Sequence, residues 1–450
     1  MRISTSQIYD SGMRHMGRTQ TQLARLQQQL STGRRLLSPS DDPTAASQAL
    51  VMTQTKDVGE QYMQNQGDVK DELSLIESHL TAFTDLLQSV RSRIVQAGNT
   101  TLLDSDREAI AATMDSGFDE MLSIANSRSA VGDFLFAGYQ GETTPFVRGT
   151  ATSPQMPVPV VYHGDDGERL VQVAASQQVA SNVAGSDVFM NIREGNGSFS
   201  TTATGNGAGV LNQGSGVIDN GSVLDLQKWQ TALENGFPWQ GSSNRALQIQ
   251  FSAPGGVKSY QLFDVSTPPP PAVALPPVAV SSVMPFSAGQ SISLVTTTQP
   301  PAAAVSTDFG AQVTITGLPV AGDTFTIRPS ANKSVFETVQ DAISLLRTPL
   351  TTSTIRTDFT ARLQDVLTNL DNALVNVERV QASVGSRLQA LDSLDNSASS
   401  LDVLYQGALS DLQDLDYAQA ISDFTKQQIS LEAAQKSYVQ ISGLSLFKYI

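Results

Sequence analysis

The 450-residue chain contains no cysteine, which excludes disulfides, thiol nucleophiles and Cys-based metal centres. Charge is scarce too: Asp, Glu, Lys and Arg make up 16% of the residues, against roughly 25% in an average globular chain. Aromatic residues reach only 6%. The formal net charge is -15, and no Lys/Arg-rich run occurs. A nucleic-acid binder needs a basic face to meet phosphates, so that class is set aside. No stretch approaches the roughly 20 apolar residues of a membrane span. The opening Met1-Arg2-Ile3-Ser4-Thr5-Ser6-Gln7 lacks the apolar core of a cleavable signal peptide.

What is present is a long apolar periodicity. Val69, Leu73, Ile76, Leu80, Phe83, Leu87, Val90, Ile94 and Ala97 alternate steps of four and three, the repeat of a coiled-coil seam. Gly98-Asn99 then supplies a stop. Ser105 with Glu108 reads as a capping box for a further helix carrying Ile110, Met114, Gly117, Met121, Ile124 and Val131, with Arg128 between. The C-terminal third repeats the seam from Leu363 through Val384, Arg387, Leu391, Ala398, Leu401 and Tyr405 to Leu415. Arg387 is its one charged member, and its stem can cover the seam while its head reaches water. The phase slips near Asp414–Asp416 and resumes as Tyr417, Ala420, Phe424, Leu431, Ala434, Tyr438 and Ile441.

A matching stripe opens the chain: Tyr9, Gly12, Met16, Thr19, Leu23, Leu26 and Leu30. Pro39, Asp41, Asp42 and Pro43 interrupt it. Asp42 before Pro43 suits an N-cap followed by a proline at the first helical position. A lone helix cannot bury such a stripe. Each apolar side chain is worth roughly 1.5–3 kcal/mol when buried, so the two chain ends are expected to pair with each other or with other subunits.

Residues 138–334 differ in kind, holding most of the glycines and prolines and many short β-branched runs. Strands are expected at Val158–Tyr162, Leu170–Val173, Leu247–Phe251, Ile292–Thr298, Gln312–Thr316 and Thr324–Ile327, with a hairpin turn at Asp165-Asp166-Gly167. A proline-rich spacer lies near 268–277. The expected fold class is mixed α and β: an elongated α-helical coiled-coil bundle from both termini, interrupted by a β-rich insertion of one or two outer domains.

Chemistry is hard to find. His15, His79 and His163 are far apart in sequence, and no His-Glu-x-x-His, P-loop, Gly-x-Ser-x-Gly or EF-hand pattern occurs. Gly205-x-Gly207-x-Gly209 lacks the flanking strand and helix of a phosphate loop. Acidic pairs such as Asp41-Asp42 stand at helix starts, where carboxylates offset the dipole. No catalytic residue, metal site or cofactor is expected.

On periodicity alone a stalk, an adhesin or a filament subunit would serve equally well. Gln29-Leu30-Ser31-Thr32-Gly33-Arg34-Arg35-Leu36-Leu37-Ser38-Pro39-Ser40-Asp41-Asp42-Pro43-Thr44-Ala45-Ala46 closely resembles the N-terminal signature of the flagellin family. Met1-Arg2-Ile3-Ser4-Thr5, Phe134-Leu135-Phe136-Ala137-Gly138 before Pro145-Phe146, and Gly443-Leu444-Ser445-Leu446-Phe447-Lys448-Tyr449-Ile450 resemble its junction branch more than its filament-forming members. The resemblance covers about residues 1–146 and 335–450.

That resemblance implies a non-enzymatic structural adapter joining the flagellar hook to the flagellin filament and transmitting torque. The alternatives are a divergent flagellin that forms the filament itself, or a coiled-coil surface adhesin. It further implies inner-tube segments at 1–45 and 402–450 that order on assembly, a helical core at 46–137 and 335–401, and an outward-facing insertion at 138–334. The implied assembly interface comprises Leu23, Leu26, Leu30, Asp41, Asp42, Pro43, Tyr417, Phe424, Leu431, Tyr438, Ile441, Leu446 and Phe447. Implied partners are copies of itself in a ring, a neighbouring hook-associated junction protein, flagellin-family subunits, and an export chaperone at the C-terminal helix. Nucleic acid and membrane insertion are not implied. The implied location is extracellular, at the hook–filament junction, reached by type III export without a cleaved signal.

Overall fold

A computed structural model describes residues 5–99, 101–149, 158–205, 210–234, 245–266, 277–297 and 306–443. The chain divides into two compact units. One comprises Met1–Asp68, Gln172–Gln178 and Ala390–Ile450; the other comprises Val69–Val171 and Val179–Gln389.

Three long helices near the termini and one long helix before the last supply the frame expected from the seams. They are α1 (Thr5–Thr32), α2 (Pro43–Ala97), α6 (Ser353–Gln413) and α7 (Tyr417–Gly443). Between α2 and α6 stand α3 (Asp104–Ala125), α4 (Leu226–Glu234) and α5 (Val335–Leu346). In the first unit α1 packs against α7, and Lys56 of α2 reaches Asp402 of α6 at 3.6 Å. In the second, Arg91 and Thr81 of α2 bond Asp371 and Gln381 of α6, at 2.6 and 2.9 Å. Ten residues forward on α2 match ten back on α6, so the two helices run antiparallel. Leu73, Ile76, Leu80, Phe83, Leu87 and Ile94 are fully buried in this frame, as are Leu370, Ala373, Val377 and Val384.

Phenylalanines close the frame of the second unit. Phe336 on α5 meets Phe83, Phe118, Phe146 and Phe189 with ring centroids 5.4–6.4 Å apart, within the range of favourable aromatic packing. Arg107 on α3 is 1% exposed. Its guanidinium donates to the carbonyls of Leu102 and Thr348 and to Asp104, and stacks over Phe359.

The insertion opens with β1 (Phe146–Arg148) paired to β2 (Val160–Tyr162), then β3 (Leu170–Ala174) paired to β4 (Gln177–Ala180). A short π-turn at Ser186–Met190 leads to β5 (Ile192–Arg193). A separate core begins at β6 (Phe199–Ala203), followed by β7 (Val217–Ile218), β8 (Ser222–Val223) and α4. Next come β9 (Leu247–Ser252), β10 (Ser259–Asp264), β11 (Val278–Ala279) and β12 (Met284–Pro285). Then follow β13 (Ser291–Thr297), β14 (Ser306–Thr316), β15 (Thr324–Pro329) and β16 (Asn332–Lys333).

One antiparallel sheet runs β11-β10-β9-β15-β6, with β12 also on β10; a second runs β13-β14-β7, with β8 also on β14. Phe199, Trp229, Leu247, Ile249, Phe309, Val313, Phe325 and Ile327 belong to one continuous core between them. Chain enters and leaves this core through β5 and β16, which pair antiparallel as a two-stranded neck. Three asparagines of α6 grip the backbone there. Asn369 accepts from the Gly195 amide at 2.9 Å; Asn372 donates to the Arg193 and Gly195 carbonyls; Asn376 donates to the Asp187 and Val188 carbonyls.

Several local expectations are corrected. Asp165–Gly167 is not a hairpin turn, because β2 and β3 pair with β1 and β4. The Asp165 carboxylate instead accepts from the Tyr139 and Gly167 amides and shapes a loop. The start of α3 is capped at Leu103, whose amide donates to Asp106 at 3.2 Å; Ser105 and Glu108 lie inside the helix. Its buried face is Arg107, Ala111, Met114, Phe118, Met121 and Ala125, and Val131 lies past its end, 86% exposed. Leu401 is 48% exposed, whereas the next residue, Asp402, is half-buried and faces Lys56 at 3.6 Å. The head of Arg387 does not simply reach water: it donates to the Asn182 carbonyl and pairs with Glu168 at 2.9 Å. The spacer at 268–276 and Gly207–Gly209 lie outside the described residues.

Candidate functional site

The slip in the C-terminal seam is a real helix break: α6 ends at Gln413 and α7 begins at Tyr417. The break between α1 and α2 lies beside it. Gly33, just past α1, has φ +70, a conformation that costs an L-residue roughly 1–2 kcal/mol. Its amide returns to the Gln29 carbonyl at 2.8 Å, closing the helix. The next residues cross to the other break. Arg34 bridges Asp414 in antiparallel fashion; the Arg35 amide donates to the Gln413 carbonyl at 2.8 Å, and the Leu415 amide to the Gly33 carbonyl at 2.9 Å. The Arg35 guanidinium also donates to the Leu412 carbonyl at 2.7 Å, placing a cation where the α6 dipole ends. Gln29 donates to the Arg35 carbonyl at 2.6 Å from within the α1 face.

Acidic side chains restart both helices. Asp41 accepts from the Leu37 and Ser38 amides at 3.2 and 3.1 Å and pairs with Arg25 at 2.8 Å, fixing the turn that leads into α2. Asp42 accepts from the Ala45 amide at 3.1 Å and from the Thr44 hydroxyl at 2.7 Å. These bonds, the Thr44 hydroxyl first, hold its carboxyl below the usual carboxylate range. Pro43 follows at the first helical position, where a missing N–H costs nothing. On the other strand Asp416 accepts from the Gln419 amide at 3.1 Å and caps α7.

Below the joint, α1 and α7 run antiparallel. A Cβ at Gly12 would stand 3.6 Å from the Tyr438 ring, and one at Gly33 would stand 2.8 Å from the Tyr417 hydroxyl. Leu23, Leu26 and Leu30 line the α1 face and remain half-buried, as do Phe424, Leu431 and Tyr438 on α7. Among the described side chains of this pair, the buried ones are the smaller or polar Thr19, Gln29 and Ala420. Ile421, Ile429 and Val439 on α7 are exposed, and so are Leu50, Val51, Val403 and Leu404 on α2 and α6 of the same unit. A groove of about 650 Å³ there is lined by Val51, Met52, Tyr405 and Leu412.

The expected interface residues thus separate into two groups. Asp41, Asp42, Pro43 and Tyr417 meet at the paired break; Leu23, Leu26, Leu30, Phe424, Leu431 and Tyr438 line the helix pair. The Ile441 side chain, Leu446 and Phe447 lie outside what is described. Sequence reading passed over Gly33, Arg35 and Arg25 as joint residues. Gly33 stood in the signature segment, and the slip at 414–416 was the available signal that a second break lay opposite.

Two family models match the chain: the bacterial flagellin N-terminal helical region over residues 3–141, and the C-terminal helical region over 367–450. Flagellar hook-associated protein 3 of Salmonella typhimurium is 24% identical over 449 residues, covering 100% of this chain and 99% of that protein. The crystal structure of the flagellar junction protein FlgL from Legionella pneumophila superposes with a TM-score of 0.63 at 25% identity, covering 82% of this chain and 100% of that one. Xanthomonas campestris FlgL gives a TM-score of 0.62 at 26% identity, covering 80% and 99%.

Proposed function

The chain belongs to the flagellin family and is a structural hook–filament junction protein, and we propose that it works as a ring of copies whose paired helix break lets two differently shaped tubes share one wall. The terminal helices α1 and α7 would form the inner layer, the α2/α6 frame the next, and the β-rich insertion the outward surface. Hook-side contacts would be made with a neighbouring hook-associated protein and filament-side contacts with flagellin-family subunits. The molecule acts outside the cell on this reading, after export as an unfolded chain escorted by a chaperone at α7.

The observation that carries the reading is the coincidence of the two breaks. Helices interrupted at different levels would resist bending as one rod. Here both interruptions lie side by side and are stitched by backbone hydrogen bonds between Arg35 and Gln413 and between Leu415 and Gly33. The inner helix pair can therefore tilt against the outer frame without tearing either chain segment away. The half-buried leucines supply the drive for assembly, since a neighbouring copy would complete their burial.

Deletion of the gene, with electron microscopy of the flagella and an immunoblot of flagellin in the medium, tests the assignment. Hooks without filaments and abundant free flagellin are expected. Hooks without filaments and no flagellin anywhere would make this chain the filament subunit instead, and intact flagella would overturn the junction role. Removing Ser445–Ile450 should abolish incorporation while the insertion stays folded; normal junctions would refute the part given to the C-terminal end.

A further inference from the structure

Sulfur enters this chain only as thioether: there is no cysteine, and ten methionines are present. With no thiolate to compete, methionine is the first target of an oxidant. Eight of the ten lie among the described residues, and they divide by unit. In the second unit Met114 and Met121 are fully buried on the inner face of α3. Met190 is half-buried at the end of the π-turn, and the Met284 sulfur accepts from the Tyr260 hydroxyl at 3.6 Å. In the first unit no described methionine is buried: Met13 is 58% exposed, and Met16, Met52 and Met63 are half-buried.

These four sulfurs fall on two helix faces. Met13 and Met16 stand three residues apart on α1, and Met16 belongs to its apolar stripe. Met52 and Met63 stand eleven apart on α2, three turns at ~3.6 residues each, and so share a face. Met52 also lines the groove with Val51, Tyr405 and Leu412. An unbranched thioether adapts to the apolar contour of a neighbour, whereas a sulfoxide carries a strong acceptor that must keep its water or find a donor. Resting on the junction reading, in which a neighbouring copy covers both faces, we propose that Met13, Met16, Met52 and Met63 form an oxidation site. Hydrogen peroxide converts them to sulfoxides in the free chain, and the oxidised chain is excluded from the ring. The sulfur lone pair attacks one peroxide oxygen and the O–O bond breaks; the departing hydroxide takes the proton left on the transferred oxygen and leaves as water. Sulfur gives up two electrons and the peroxide gains them. Copies already in the ring present neither face to solvent, so these four react in unassembled chains alone.

Limited peroxide treatment of the purified full chain, followed by peptide mass spectrometry, reads one added oxygen at each methionine. Met13 should oxidise first, and at least about tenfold faster than Met114 and Met121, which meet the reagent only when the frame opens. Hooks isolated from a strain lacking the gene are then offered treated or untreated chain, and binding is followed by electron microscopy and immunoblot. Treatment should lower binding at least about tenfold, as polar oxygens are carried into a face that has to dry. Replacing Met13, Met16, Met52 and Met63 together by Leu keeps their volume and should leave binding indifferent to peroxide. Met114→Leu with Met121→Leu should stay as sensitive as the wild type. Should the fourfold variant not bind, methionine sulfoxide reductases of both epimer specificities must restore binding to the treated wild-type chain. Equal oxidation of buried and exposed methionines, treated chain that binds like untreated chain, or a fourfold Leu variant that peroxide still disables overturns the proposal. Untreated chain that ignores the hooks overturns the junction reading, and the assembly half of the proposal with it; the selectivity of oxidation stands or falls by the mass spectra.

Discussion

The Leu415 amide donates to the Gly33 carbonyl at 2.9 Å, so the residue that ends one terminal helix is tied to the residue that precedes the other. Gly33 also has the left-handed backbone that lets its carbonyl point there, and the Tyr417 hydroxyl occupies the space a side chain would need. Conformation, contact and connection thus converge on one residue without a side chain.

Replacing Gly33 by Ala should therefore damage the joint without unfolding the rest. The backbone penalty is roughly 1–2 kcal/mol, and the new methyl must displace the Tyr417 ring. Exchange of the Arg35 and Leu415 amides should rise, and filaments should shear off at lower stress. Gly33→Ala with Tyr417→Phe should recover part of the loss by removing the oxygen in the way, leaving the backbone share.

Asp42 and Pro43 offer a second probe of the same joint. Changing both to Ala removes the cap and the preset first turn of α2, and filament attachment should weaken; filaments retained under shear would sink the role given to this segment. The cap also has a pH signature. The folded carboxyl lies below its ordinary value of 3.8, so its contribution is present above that value and fades as pH falls through the lower folded one. Protection of the Ala45 amide should decline over that acid range, and Asp42→Asn should flatten the decline.

Arg107 tests the frame of the second unit. Its guanidinium satisfies two carbonyls from different segments, Leu102 and Thr348, and lies over Phe359. Truncation to Ala leaves a cavity and unpaired carbonyls, and should cost about 3 kcal/mol. Arg107→Met keeps most of the volume and should recover the packing share only. Thermal melting followed by circular dichroism separates the two variants.

Much of this frame was legible because a seam is a local property. Steps of three and four through Leu73–Ile94 and Leu363–Val384 lead to the residues that are buried, and the slip at Asp414–Asp416 marks where α6 stops. Legibility failed where a partner distant in sequence decides. Leu401 looked like a seam residue, yet it is 48% exposed while its neighbour Asp402 is half-buried against Lys56. Asp165-Asp166-Gly167 carried a turn composition, but β2 and β3 found other strands. Strand β10 has no β-branched residue and pairs along its whole length with β9. The pairing of the two breaks was invisible for the same reason: Gly33 and Leu415 are brought together only once α1 and α7 have aligned.

The asparagines of α6 were passed over because they flank the apolar seam and read as solvated surface. Asn372 donates to the Arg193 carbonyl at 3.0 Å and the Gly195 carbonyl at 2.8 Å, and Asn376 to two more carbonyls. Asn372→Ala with Asn376→Ala leaves these half-covered carbonyls to water. At about 1 kcal/mol per bond at such sites, loss of the two bonds to Arg193 and Gly195 should make the neck roughly 30-fold more open to proteolysis and exchange. The insertion itself should not melt earlier. Both tryptophans, Trp229 and Trp239, fall within residues 138–334, and Trp229 is buried in the core of the insertion, so a change in intrinsic fluorescence does not come from the helical frame. Asn396→Ala is the control, because that side chain bonds only the Asp392 carbonyl within its own helix. Unchanged neck exchange in the double variant would mean that β5 and β16 hold the insertion unaided, and that the asparagines merely fill a polar face.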